Sequence, residues 1–260
     1  MTSNCLPNPH LCGFPDATNT GWQPTGVVLK TVPGEVSSGT GWSWDARDSM
    51  IRVTGTGAVL DGLDVNGSID VLADNVTIKR SRIVSGDYYP IRYFDNDNTG
   101  LLIEDTEIAG TSPDVTSSVA FANYTARRVN MHGAADGFKA DSNVLIEDSY
   151  VHDLGIGADT HNDGLQSTGG SGVTFRHSTC IISDGSNACF QLGDDVSDIL
   201  VTDSLLDGGG WVINMGDSGT NRVFTNNRFG HSAAYGPIGS GGSYTWSGNV
   251  WDDTGAVISQ

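Results

Sequence analysis

The sequence predicts an all-β fold, a right-handed parallel β-helix of about nine three-strand coils closed by amino- and carboxy-terminal caps. Three observations predict it: one short segment recurs along the chain, its apolar positions align into ladders, and the composition favours turns over helices.

The recurring segment reads NVTIKRSRI (75–83), GLLIEDTEI (100–108), NVLIEDSYV (143–151), GVTFRHSTC (172–180), DILVTDSLL (198–206) and NRVFTNNRF (221–229), with weaker copies at 57–65, at 123–131 and near the end. Alignment gives an apolar ladder of Leu60, Ile78, Ile103, Ala126, Ile146, Phe175, Val201, Phe224 and Trp246. Five residues later stands a second, Val65, Ile83, Ile108, Met131, Val151, Cys180, Leu206, Phe229 and Trp251. Spacings of 18 to 29 residues are too short for a helix crossover between parallel strands and suit a coil of short strands. A third strand follows each copy, with an expected inward ladder of Ile91, Phe121, Phe138, Leu165, Phe190, Ile213 and Ile238. At one strand spacing per coil the rod is on the order of 40 Å long. Residues 1–45, with Trp22, Trp42 and Trp44, are assigned to the amino-terminal cap. Residues 46–230 form the coils, and 231–260 the last coil and carboxy-terminal cap, where Tyr235, Tyr244, Trp246 and Trp251 close the end. All belong to one domain.

The composition agrees. Of 31 acidic residues only Glu35, Glu104, Glu107 and Glu147 are glutamate, and aspartate suits tight turns where glutamate suits helices. Glycine contributes 35 of 260 residues. A net charge of −18 with no basic stripe excludes nucleic acid as a partner and disfavours bare polyuronates. No apolar run approaches the roughly 18 residues that span a bilayer, so no membrane partner is expected. Met1 leads into a polar, proline-rich stretch without a signal peptide. Either a leader has been removed or the protein leaves its cell by another route, so the expected location is extracellular or virion. Cys5 and Cys12 are spaced for a disulfide; Cys180 and Cys189 are taken as small core residues.

The opening CGFPDATNTG, the phrase HNDGLQSTGGSGVTF and the closing GNVWDDTGA resemble the pectate-lyase-like superfamily of parallel β-helix proteins, and most closely the small β-helix proteins of actinobacteria and their phages. That resemblance implies a polysaccharide as partner and a site on the outer face of the third strand. Its members include lyases, glycoside hydrolases, epimerases, phage tailspikes and adhesins, so reaction does not follow from fold. HNDGLQ is similar to the NTDG motif of polygalacturonases, which puts Asp163 on their first catalytic aspartate. The chain departs from that family one coil on, where Ser186-Asn187-Ala188 stands for its aspartate pair, and again at Gly209-Gly210-Trp211. Asp159-Thr160-His161 resembles the Asp-Pro-His core of alginate epimerases, with threonine for proline.

From the residues themselves, the row beside the third inward ladder reads Arg92, Ala122, Lys139, Gln166, Gln191, Asn214 and Gly239. Lysine, arginine and amides suit sugar hydroxyls, although amide ladders also stabilise a β-helix by bonding to themselves. Arg92, Lys139, Gln166, Gln191 and Asn214 are therefore the candidate substrate-binding residues. Asp136 and Asp163 enter neighbouring strands in one register, roughly 5–6 Å apart. With Asp159 and His161 on the same edge they form the candidate catalytic set, since paired carboxylates serve acid–base or nucleophilic work on glycosidic bonds. An aspartate before glycine is equally a turn residue. No cofactor is required; calcium is considered at Asp95-Asn96-Asp97-Asn98 and Asp194-Asp195, which lack a full loop signature. His132 and His152 are expected as stacked surface residues.

Two functions remain open. One is a β-helix that binds a polysaccharide along one outer face and cleaves it as a hydrolase or lyase; the other is a non-catalytic virion or tail protein, structural or adhesive. A monomer suits the first, a homotrimer or virion assembly the second.

Overall fold

A computed structural model describes residues 4–93, 97–183, 187–239 and 241–259. Alternating apolar and polar residues can bury one face of a strand only if a neighbour covers it, and here each short strand is covered by the next coil. The chain winds into a parallel β-solenoid of about eight turns with three sheets, consistent with the right-handed crossover that parallel strands favour. Sheet 1 has ten strands, sheet 2 eleven and sheet 3 nine. The nine rungs of sheet 3 bracket eight full turns, which accounts for the difference from the count of coils.

Both repeat ladders run in the expected register. Leu60 pairs with Ile78 and so on through Phe224 and Trp246 in sheet 3. Val65 pairs with Ile83 and so on through Phe229 and Trp251 in sheet 1. The ladder in sheet 2 differs at one rung. Val119, not Phe121, lies between Ile91 and Phe138. The strand Ser117–Ala120 ends before Phe121, which is partly exposed and packs edge-on against Tyr89 with ring centroids 5.1 Å apart. Ala120 therefore takes the place assigned to Ala122 in the outward row.

A polar ladder inside the corner between sheets 3 and 1 completes the frame. At this corner Arg80, Asp105, Arg128, Asp148, His177, Asp203 and Asn226 have positive φ. The next residue turns inward: the Ser81, Ser149, Ser178 and Ser204 hydroxyls each donate to a carbonyl two residues back. They also accept amide N–H groups from the adjacent coil, which satisfies a buried corner that would otherwise carry orphaned polar groups.

The amino-terminal stretch is placed differently from a cap. Asn4 N–H donates to Asp252 O at 2.7 Å, in the last coil. Phe14 stacks on His177 at 5.9 Å, and Gly21 N–H donates to Arg128 O at 2.9 Å. Trp22 Nε1 reaches Glu107 Oε2 at 2.9 Å, and Lys30–Val32 then joins sheet 1 beside Leu63–Asn66. Residues 4–28 are thus a strap running along the outside of sheet 1, and Trp22 is part of it. The first coil is closed instead by the antiparallel strands Ser38–Gly39, Trp42–Asp45 and Met50–Val53. At the other end Trp246 Nε1 donates to Ile258 O at 2.9 Å, while Tyr235 lies on the edge of sheet 2 and is exposed. Cys5–Cys12 is a disulfide, as expected. Cys180 and Cys189, taken as core residues, are buried and also bridged, their Cα atoms 6.1 Å apart. No helix among the described residues is long and apolar enough to cross a membrane.

Candidate functional site

Seven strands of sheet 2 begin along one edge of the rod, from Ile91–Tyr93 to Gly236–Gly239. Backbone rungs bind this edge together: Thr116 N–H to Tyr88 O at 3.0 Å, Asp136 N–H to Thr116 O at 3.0 Å, Gly210 N–H to Asn187 O at 2.9 Å and Tyr235 N–H to Gly210 O at 2.8 Å. In the middle a side chain makes the rung. Asp163 N–H donates to Asp136 Oδ1 at 2.9 Å.

Both carboxyls are buried, Asp136 being 4% exposed and Asp163 0%. Burial pushes Asp163 up to about 7, and the like charge of Asp136 adds to this against the Asn187 and Gln166 hydrogen bonds and Lys139. Burial also raises Asp136, opposed by the Asp163 N–H, by Lys139 and by His161. Lys139 Nζ lies 3.7 Å from Asp136 Oδ2.

The outward row is organised from these carboxyls. Gln166 Nε2 donates to Asp163 Oδ2 at 3.2 Å, and Lys139 Nζ donates to Gln166 Oε1. Asn187 Nδ2 bridges Asp163 Oδ1 at 2.8 Å and Gln191 Oε1 at 2.9 Å. Asn214 Nδ2 donates to the same Gln191 oxygen at 2.8 Å. Lys139, Gln166, Gln191, Asn214 and Gly239 stand in one register on consecutive strands. With its oxygen taken twice, the Gln191 amide can direct only its Nε2 donors outward, and no bond to them is made among the described residues. Arg92 stands apart, two strands from Lys139 and in register with Asp70.

Asp159 and His161 lie on the exposed rim of the same edge, on a loop fixed by Thr160 Oγ1, which accepts from Gly157 N–H at 2.8 Å and donates to Asn162 Oδ1 at 2.7 Å. An open groove of about 680 Å³ is lined by Thr160, His161, Gln166, Asn187 and Gln191. A smaller one of about 250 Å³ is lined by Tyr88, Asp136, Lys139, Asp159 and His161. All four candidate catalytic residues thus share one edge; both buried carboxyls hold their protons more tightly than usual, Asp163 beneath the Gln166 and Asn187 amides and Asp136 beside it on the wall of the smaller groove.

Sequence reasoning passed over three residues here. Asn187 was read as a departure from a family motif, and it joins the acid to the amide row. Trp211 lays its indole over the strand Gly236–Gly239, where a Cβ on Gly239 would come within 2.9 Å of the ring. Tyr88 stands at the opposite end. A signal for the second was present: the outward row ends on a glycine one coil after a tryptophan.

Asp194 Oδ1 accepts Asp217 N–H at 3.0 Å and Asp195 Oδ1 accepts Ser218 Oγ at 3.1 Å, so this pair joins neighbouring turns. Among the described residues no three histidine, cysteine or acidic side chains gather to hold a metal ion; Asp95 and Asn96 lie outside those residues. His132 and His152 are adjacent on sheet 1, ring centroids 5.2 Å apart. Burial lowers His152, which bonds to Asp153 and Asn130. In comparisons with known proteins no family model, no curated protein and no solved structure matches this chain.

Proposed function

We propose that this β-helix binds a polysaccharide along the outward row Lys139, Gln166, Gln191 and Asn214, across the groove that Gln166, Asn187 and Gln191 line. The observation that carries the reading is the amide row itself. Its side chains are held in place by one another and by Asp163, so their remaining polar atoms face the groove with little entropy left to lose on binding a sugar hydroxyl. The likeness of HNDGLQ and of the repeat pattern to pectate-lyase-like proteins supports the same face.

A second reading is favoured by the acid pair. A carboxyl that keeps its proton up to about pH 7, beside one nearer a lysine, is the arrangement for general acid and base in glycoside cleavage. In this reading Asp163 protonates the leaving oxygen as the glycosidic C–O bond breaks, Asp136 takes a proton from the water that bonds to the anomeric carbon, and His161 and Asp159 at the rim hydrogen-bond the departing sugar. Chemistry requires the Gln166 and Asn187 amides to move aside, so binding is the primary reading. A non-catalytic adhesive protein, in a virion or secreted, would use the groove without that step.

A polysaccharide panel scored for binding, for new reducing ends and for unsaturated products tests both. Binding lost in Gln191→Ala supports the first. Turnover abolished in Asp163→Asn, with binding kept, supports the second. Turnover retained by Asp163→Asn, Asp159→Asn and His161→Ala overturns the cleavage reading.

A further inference from the structure

We infer that the ligand is a neutral polysaccharide laid along the rod axis between two aromatic platforms, Tyr88 at one end and Trp211 with Tyr235 at the other; this rests on the binding reading above. Tyr88 is 61% exposed and Tyr235 71%, so each ring on this otherwise polar edge has a face that a ligand can still cover. Both are braced. Tyr88 packs edge-on against Tyr89 at 4.8 Å, and Tyr89 against Phe121 at 5.1 Å. Tyr235 leans on Trp211 at 5.6 Å. A ring held this way offers its apolar face to the C–H face of a pyranose without first being ordered.

Their placement fits a long ligand. Tyr88 and Tyr235 precede the first and last of the seven strands on this edge, whose starts are six spacings or about 29 Å apart, and Tyr88 also lines the small groove beside Asp136, Lys139 and His161. An edge of that length takes an oligosaccharide stretch rather than a single sugar. Asp136 and Asp163, which open the third and fourth of those strands, fall near the middle of that span.

Charge selects the class. Asp87, Asp114, Asp136 and Asp159 lie on or beside this edge against Arg92 and Lys139, on a chain of net charge −18. A polyuronate would bring a carboxylate to nearly every position and be repelled, whereas neutral sugars meet amides, hydroxyls and rings.

The test is affinity electrophoresis of the full chain in calcium-free buffer against neutral glycans (a mixed-linkage β-glucan, a galactomannan, an arabinoxylan and starch) and against polygalacturonate and alginate. Tyr88→Ala, Tyr235→Ala and Gln191→Ala are compared with the unaltered chain. A neutral glycan should bind, each tyrosine variant should weaken the long chain about tenfold at unchanged melting temperature, and a trisaccharide should respond to Gln191→Ala alone. Preferential binding of a polyuronate overturns the inference. So does full affinity in both tyrosine variants, and if Gln191→Ala has then lost its affinity the groove reading survives. Binding of neither class removes the groove reading and this inference together.

Discussion

The outer face of sheet 3 and the entry edge of sheet 2 carry charge in opposite ways on one scaffold. On sheet 3 the acids and arginines alternate along the rod: Arg127 Nε meets Glu147 Oε1 at 2.5 Å, Arg176 Nε meets Glu147 Oε2 at 2.8 Å, and Arg128 Nη2 meets Glu104 Oε1 at 2.8 Å. Although burial alone would raise Glu147, its two guanidinium partners hold it below the usual range. On sheet 2 two aspartates are buried more deeply with a single lysine beside them, and both rise. Paired charge spends its hydrogen-bonding capacity on the scaffold, whereas under-paired charge beside an amide row leaves a titratable proton and unspent amide donors.

The steepest way to break the comparison is to remove the core that both faces share. Phe190→Ala, under Gln191, should cost about 3–5 kcal/mol, read as a lower urea midpoint, because neighbouring coils cannot collapse onto the space. An unchanged midpoint would contradict the register.

The next effect separates the faces by pH. Asp163 titrates near 7 when folded and near 4 when unfolded, so the folded chain holds that proton more tightly. The stabilisation is complete below about pH 4 and is lost as pH rises through about 7. The stability of the native chain relative to Asp163→Asn should therefore fall by up to about 4 kcal/mol between pH 4 and 8. A difference that does not change with pH would show that the acid is ordinary.

Glu147→Gln is smaller and opposite in sense. It removes a carboxylate held down by two arginines, stabilising above the unfolded value and lost as pH falls. It should cost about 1–2 kcal/mol near neutrality and leave glycan binding unchanged. Impaired binding in this variant would mean the functional face has been misplaced.

Much of the coil was legible in the sequence because strand alternation and strand spacing are local rules. The eighteen ladder positions of sheets 1 and 3 follow from one aligned segment. Phe121 was misassigned because an aromatic is the stronger apolar signal, while the chain had already used Val119 and ended its strand. The strap was illegible: residues 4–28 have no period, and their placement depends on partners such as Asp252, Arg128 and Glu107 that lie far along the chain. At the site, register was readable and depth was not. Asp136 and Asp163 could be set side by side from spacing alone, but the burial of Asp163 comes with Gln166 and Asn187 bonding to its two oxygens, and that of Asp136 with the Asp163 N–H and Lys139 beside it.

The most direct test of the central claim is a calorimetric titration of the full chain and of Gln191→Ala with the glycan that binds best. The groove account predicts a loss of about tenfold in affinity, near 1.4 kcal/mol, with no change in melting temperature. Equal affinity in the two proteins would contradict it.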